Sequence, residues 1–330
     1  MQTWDATQTC LKTLGMLALL LLASSPAPAQ DQYPNQNIKI IVPTNPGATT
    51  DILARVMGQA LSQSWGRSVI IENKPGADEM LGVDAVAKSA PDGHTLLVTS
   101  NGGITASPQL HNQKRYDPLN DLVPILFLGQ VTPVMVVTGK SPIRTFQELV
   151  THVKSKPGQL NYGSFGNGSY SHVAMEDLKQ RTGMQILHIP YRGATPAYTA
   201  LLREEVLVMI ANLASATGHA SAGGAHIIAA AGPQRSKMRP DLPTVAETGV
   251  PGFSTGAWWG LFGPANLPPA IFNKIRSETV RLLSTPEVLK VFETNTMELI
   301  DMTPEQFKQF IRDDTEHWAR QFKAAGIKPE

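Results

Sequence analysis

The stretch that most constrains this chain runs Ile38-Lys39-Ile40-Ile41-Val42-Pro43-Thr44-Asn45-Pro46-Gly47-Ala48-Thr49-Thr50-Asp51. Its first five residues are β-branched and apolar apart from Lys39, which predicts a buried strand. Pro43, Pro46 and Gly47 end that strand and impose a loop. Thr49, Thr50 and Asp51 then offer N-cap side chains to a helix. That helix follows at once, with Leu53, Val56, Met57, Ala60 and Leu61 at helical spacing. The unit is therefore strand, loop, helix, and its loop ends at a helix N-terminus. Free backbone N–H groups and the helix dipole make such a loop attractive to an anion. An ordinary connecting turn remains the alternative.

The same alternation continues along the chain. Strands are expected at residues 68–72 and 95–99 with a helix at 80–88 between them, and the loop Ser100-Asn101-Gly102-Gly103 follows. Residues 125–137 form a long apolar stretch broken by Gly129 and Pro133, which suits a crossing between domains. Beyond it the pattern restarts: a helix at 145–154, a strand at 160–162, and a second glycine and serine loop, Gly163 to Ser171, entering another helix. Strands at 185–189, 206–210 and 225–231 and a helix near 196–202 follow. Three C-terminal helices begin at Pro268, Pro286 and Pro304, proline being favoured in a first turn. Strands alternating with helices imply a largely parallel α/β sheet, in which ligands sit outside the carboxyl ends of strands. Trp258-Trp259 is either core or a pocket wall.

Residues 1–29 read as a secretory signal peptide. An apolar run, Leu14 to Leu22, follows Lys12, and Ala27-Pro28-Ala29 is a cleavage pattern placing the cut after Ala29. The single cysteine, Cys10, precedes that run, so the exported chain carries none and needs no disulfide. With net charge +1 and no basic patch, nucleic-acid binding is not expected. No phosphate-loop or G-x-S-x-G motif is present, and Gly166-Asn167-Gly168 fails as a dinucleotide fingerprint because Ser171 stands at its third glycine position. No histidine spacing suggests a metal, and no cofactor is expected. His172 is open to two readings, loop packing or donation to a ligand. Asp78 and Glu79 read as solvated acids at a helix start.

Several segments resemble the periplasmic solute receptors of tripartite tricarboxylate transporters, the Bug receptors. They are Pro46-Gly47-Ala48-Thr49-Thr50-Asp51, Glu72-Asn73-Lys74-Pro75-Gly76-Ala77, Ala90-Pro91-Asp92-Gly93-His94-Thr95-Leu96-Leu97, Gly166-Asn167-Gly168-Ser169, His188-Ile189-Pro190-Tyr191-Arg192-Gly193, Leu242-Pro243-Thr244-Val245-Ala246-Glu247 and Ala257-Trp258-Trp259-Gly260-Leu261. Their order through the chain is more specific than any one of them. The resemblance implies a two-lobed periplasmic binding protein of type II-like form. Each lobe would be a largely parallel sheet flanked by helices, with the ligand cleft between them. Lobe 1 would comprise 30–128 and 228–330, and lobe 2 would comprise 129–227. The implied function is binding of a small organic carboxylate and its delivery to a membrane permease, without catalysis, by a monomer. In the family the carboxylate is held by main-chain groups of two glycine-rich loops, helped by water. By position the implied ligand-binding residues are Thr44, Asn45, Pro46, Gly47, Ala48, Thr49, Thr50 and Asp51 in the first loop. The second loop contributes Gly166, Asn167, Gly168, Ser169, Ser171 and His172. Ser100, Asn101, Tyr191 and Arg192 flank them.

The chain departs from the family pattern at Ala48, at Asp78-Glu79 and at Arg203-Glu204-Glu205-Val206-Leu207, where glycines are usual. Two other functions stay open at this level. One is a ligand sensor for a membrane two-component kinase. The other is an exported carboxylate-processing enzyme, which would need a nucleophile or metal at these loops.

Overall fold

A computed structural model describes residues 33–167, 169–295, 297–324 and 326–327. The signal-peptide reading of residues 1–29, its cleavage after Ala29, and Gly168 of the second loop lie outside the described residues. The chain divides into two units, Met1–Gln36 and Asn37–Glu330. Of the first, residues 33–36 are described and include a cis Tyr33–Pro34 peptide. All that follows concerns the second unit.

Two mixed sheets form that unit. The first runs, edge to edge, through Met297–Glu298, Leu122–Val131, Trp258–Pro264, Thr95–Ser100, Ile38–Val42 and Val69–Asn73, and the second through Leu187–Pro190, Asn161–Ser164, Val208–Asn212, Pro133–Thr138 and Ala225–Ala230. In the first, β1 (Ile38–Val42) lies parallel to β2 (Val69–Asn73) and β3 (Thr95–Ser100). Helix α1 (Thr49–Trp65) joins β1 to β2, and α2 (Met80–Ala87) joins β2 to β3. In the second, β6 (Asn161–Ser164) lies parallel to β7 (Leu187–Pro190) and β8 (Val208–Asn212), with α5 (Tyr170–Thr182) between β6 and β7. Two further helices of that half are α4 (Phe146–Ser155) and α6 (Ala194–Leu202).

The strands that carry the chain between sheets run the other way. β4 (Leu122–Val131) belongs to the first sheet and β5 (Pro133–Thr138) to the second, with only Thr132 between them. β5 pairs antiparallel with β8 and with β9 (Ala225–Ala230), after α7 (Leu213–Ser221). β10 (Trp258–Pro264) returns to the first sheet antiparallel to both β3 and β4. The expectation of largely parallel sheets therefore holds for the strands linked by helices and not for these. A strand that enters from the neighbouring sheet without an intervening helix has no right-handed crossover to reverse it.

Hydrophobic spacing fixes the helix faces. In α1 the buried residues are Thr50, Asp51, Leu53, Ala54, Met57, Gly58 and Leu61, a stripe rotated slightly from the expected one. Leu53, Met57 and Leu61 are essentially inaccessible, and burying each side chain contributes about 1.5–3 kcal/mol. α8 (Pro269–Leu283), α9 (Pro286–Thr294), β11 (Met297–Glu298) and α10 (Pro304–Ala324) complete the chain. Along α10, Trp318 and Phe322 pack in one cluster with Ala106 and Leu110 from the helical run after β3, and with Val173 and Tyr170 of α5. The last helix thus touches elements belonging to both sheets. Among the described residues no helix is long and apolar enough to cross a membrane.

Candidate functional site

The loop after β1 is shaped by glycine and held by a carboxylate. Gly47 sits at φ 85°, a conformation that L side chains rarely adopt. Its N–H donates to Asp51 Oδ2 at 2.9 Å. Asp51 also accepts from Arg55 Nε at 2.9 Å and, through Oδ1, from Asn73 Nδ2 at 2.9 Å, while the same amide of Asn73 donates to the Thr44 carbonyl at 3.0 Å. Burial works against ionisation of Asp51, but hydrogen bonds from Arg55, the Gly47 N–H and Asn73 outweigh it and hold the carboxyl below its ordinary value. Asp51 is therefore engaged by the protein itself. Thr50 is likewise buried, accepting from Trp259 Nε1 at 2.9 Å.

The remainder of the loop is open. Asn45, Pro46 and Gly47 are exposed, and Ala48 and Thr49 are half-buried. The N-cap of α1 is Ala48 rather than Thr49, Thr50 or Asp51, and no side chain caps the helix. Thr44 Oγ1 is shielded from solvent and lacks a hydrogen-bond partner. The first turn of α1 therefore presents its dipole at a solvent-facing loop.

The loop after β6 is knitted by serines. Ser169 is the N-cap of α5, its hydroxyl accepting from His172 N at 3.4 Å and donating to the Gly166 carbonyl at 2.7 Å. Ser171 Oγ accepts from Phe165 N at 3.0 Å and is fully buried. Ser164 Oγ accepts from Gly166 N at 3.2 Å and lies 2.6 Å from His188 Nε2. Gly166 adopts φ 127°. Asn167 is exposed at the loop tip. Tyr191 borders the loop, its N–H donating to the Ser164 carbonyl at 3.1 Å. Arg192 is exposed beside it.

Beneath this loop lies an aromatic stack that sequence reasoning missed. The His172 and His188 rings stack at 4.0 Å, and His188 stacks on Tyr162 at 4.8 Å. Tyr162 donates to Glu176 Oε1, which also pairs with Lys179 Nζ at 2.8 Å. Burial, helped by the neighbouring His172, lowers the His188 pKa to about 4, and burial also lowers that of His172. Both rings are therefore neutral near pH 7. Because Ser164 is fully buried, its pairing with His188 positions the loop and offers no exposed nucleophile.

Ser100 and Asn101, at the carboxyl end of β3, are both buried and engaged. Asn101 Nδ2 donates to the Gly256 carbonyl at 3.2 Å. Ser100 Oγ donates to Glu79, with contacts of 2.9 and 3.1 Å to its two oxygens. Glu79 is thus not a solvated acid as its sequence position suggested. Asp78 is, apart from its pairing with His111 Nε2 at 2.9 Å.

One short segment ties the two loops together. Thr255 Oγ1 donates to the Tyr170 carbonyl at 3.4 Å, in the first turn of α5. Gly256 receives Asn101, and Trp259 donates to Thr50 in the first turn of α1. Residues 255–259 therefore contact the N-terminal turns of α1 and α5 and the end of β3. The adjoining tryptophan, Trp258, faces the opposite way and donates to Asp314 Oδ2 at 2.9 Å, so the pair is core on both faces of β10. A separate cavity of about 290 Å³ lies between α10 and the crossing segments, lined by Thr132, Pro233, Thr255 and His317 among others. Among the described residues no cluster of His, Cys, Asp or Glu could hold a metal ion.

Comparisons with known proteins point one way. The family model for the tripartite tricarboxylate transporter family receptor, TctC, matches residues 53–327. Protein BugT of Bordetella pertussis is 32% identical over 323 residues, covering 96% of this chain and 98% of that one. A solved R. palustris protein with adipate is 28% identical, with TM-score 0.76, covering 90% of this chain and all of that one. MatC from Rhodopseudomonas palustris, solved with bound malate, is 28% identical, with TM-score 0.71, covering 88% of this chain and 99% of that one.

Proposed function

The chain belongs to the tripartite tricarboxylate transporter receptor family, and on that premise we propose that it is a periplasmic receptor for a small organic carboxylate. The solute sits between two lobes, one built on each sheet, and is passed to a membrane permease. The lobes meet at Thr132 and in the segment 231–257, and they close on the solute by bending there. The carboxylate is held by N–H groups of the first turn of α1, with Thr49, and rests against the loop at Gly166, Asn167 and Ser169. No covalent step occurs. The solute leaves unchanged, which fits an enclosed Ser164 and neutral, stacked His172 and His188. The carboxylates present in the adipate and malate complexes of the two R. palustris relatives support the ligand class.

The observation that carries this reading is the segment 255–259, which joins the N-terminal turns of α1 and α5 at one place. Neither the loop at 44–51 nor that at 165–172 contains lysine or arginine. An anion held there depends on charge-assisted hydrogen bonds from backbone and hydroxyl donors, each contributing about 1.5–3 kcal/mol. Mass spectrometry of the small molecules released when the purified protein is denatured tests the proposal. A stoichiometric carboxylate is expected. A released compound without a carboxyl group, or conversion of the added solute during incubation, contradicts it.

A further inference from the structure

Glu79 is held in an unusual way. Ala77, Asp78 and Glu79 adopt φ values of 46°, 50° and 74° in succession. Non-glycine residues rarely enter this region, each at a cost that neighbouring structure must offset. The strained turn delivers the Glu79 side chain across to the end of β3. There Oε2 accepts from Thr99 Oγ1 at 2.9 Å and from Gly103 N at 3.2 Å, and Ser100 Oγ donates at 2.9 Å to Oε1. Gly103 lies in the first turn of the helical run from Gly102–Ala106 into α3 (Ser107–Leu110). A Cβ on Gly102 or Gly103 would come within 3.1 Å of a Glu79 oxygen, so both glycines are needed for the helix to start this close to the carboxylate. The donor set is two hydroxyls and a helix-terminal N–H, which is how proteins bind a free carboxylate. It stands at the carboxyl end of β3, next to β1 and one residue from Asn101, which joins the 255–259 segment.

We infer that Glu79 is a specificity-determining residue, a built-in carboxylate that fills an anion site of the first lobe and so restricts the solute to one whose end facing that site carries no carboxylate. The inference rests on the receptor reading above. A second carboxylate cannot share these donors, because they are already spent, and because two carboxylates in one enclosed place disfavour each other's ionisation. Burial already opposes the charge of Glu79, offset in part by its bonds to Ser100, Thr99 and Gly103. The solute class that follows is a carboxylate with one anionic end, held at the loops after β1 and β6, and an uncharged far end.

Calorimetry with a matched pair, hexanoate and adipate, tests this on the wild type, Glu79→Gly and Glu79→Gln. Glycine accepts the positive φ at 79, so Glu79→Gly is expected to fold. The wild type is expected to bind hexanoate at least tenfold more tightly than adipate, and Glu79→Gly to shift that ratio at least tenfold toward adipate. Acetate gives an independent readout. It should raise the melting temperature of Glu79→Gly, by entering the vacated anion site, and should leave the wild type and the space-filling Glu79→Gln unmoved. A wild type that binds adipate as tightly as hexanoate, with an unchanged ratio in Glu79→Gly, overturns the restriction on the solute. Absence of any acetate response overturns the anion site. Failure of the wild type to bind either probe counts against the receptor reading for carboxylates of this size, while the acetate response still decides whether Glu79 fills an anion site.

Discussion

The loop after β1 and the loop after β6 occupy matching places in their sheets and are closed in opposite ways. At the second, the helix caps itself: Ser169 accepts from His172 N, and Ser164 and Ser171 take the N–H groups of Gly166 and Phe165. At the first, the cap position is Ala48, whose side chain caps nothing; the Gly47 N–H is taken by Asp51 and the Ala48 N–H by the Asn45 carbonyl, and no side chain takes those of the first helical turn. One loop spends its donors on itself and the other leaves a helix start unfilled. On the proposed reading, the first loop is where an incoming anion would gain most, and the second is a preformed wall against which it would be placed. Asp51 lets the first loop stay open without losing its shape, since it ties Gly47, Arg55 and Asn73 from below rather than capping the helix from the front.

Removing Asp51 should break the comparison most severely. Asp51→Asn weakens hydrogen bonds to a cation, an amide and a backbone N–H at a side chain only 3% exposed. Charge-assisted bonds of this kind are worth about 1.5–3 kcal/mol. Denaturant unfolding should show a loss of that order, together with weakened solute binding. The pH dependence follows from the lowered pKa. A carboxyl whose folded-state pKa lies below its unfolded value of 3.8 adds stability that is fully present above that value and is lost as pH falls through the folded-state pKa. The stability gap between wild type and Asp51→Asn should therefore be constant near neutral pH and narrow below about pH 4. A gap independent of pH down to acid unfolding would assign Asp51 no electrostatic role.

Capping substitutions should act in opposite senses at the two loops. Ser169→Ala removes the cap of α5 and should cost about 0.5–2 kcal/mol. Ala48→Ser supplies a cap to α1 and should raise the thermal midpoint of the solute-free protein, a gain of about 0.5–1 kcal/mol, while weakening the solute that competes for the same N–H groups. If Ala48→Ser both stabilises the protein and tightens the solute, the first loop is not the open one. The smallest effect is expected for Thr49→Ala, which removes a half-buried hydroxyl and leaves every backbone donor in place. Its affinity loss should stay within the roughly 0.5–1.5 kcal/mol of one neutral hydrogen bond.

These features differ in how far local sequence shows them. The β1–loop–α1 unit was legible because a β-branched run, a proline and glycine break and a helical stripe follow one another within thirty residues, and each is a local signal. β10 was not, since Trp258-Trp259-Gly260-Leu261-Phe262-Gly263-Pro264 has neither clean alternation nor freedom from glycine and proline. Its pairing with β3 and β4 is entirely long-range. The helical run from Gly102 reads as a loop because it opens with two glycines and carries Pro108, and it is the Glu79 carboxylate that makes those glycines intelligible. Glu79 itself was misread as a solvated acid. Its partners lie at Thr99, Ser100 and Gly103, and its reach depends on three successive left-handed residues that no propensity favours. Thr50 and Asp51 were read as N-cap candidates and loop residues, whereas they lie in the first turn of α1, and their buried bonds to Trp259, Arg55 and Asn73 depend on tertiary neighbours.

On the proposed reading, backbone donors of an open helix start hold the solute, rather than a cationic side chain. Calorimetry with the carboxylate recovered from the purified protein, comparing Gly47→Val with Arg192→Ala, tests it most directly. A Cβ at Gly47 meets no atom within 4 Å, so Gly47→Val acts through its φ of 85° and not through a clash. It should reshape the loop and lower affinity by about a hundredfold or more, a change of roughly 2.7 kcal/mol, with the melting temperature confirming a folded protein. Arg192→Ala should leave affinity within about threefold of wild type. Affinity abolished by Arg192→Ala and retained in Gly47→Val would show that a side-chain clamp holds the anion.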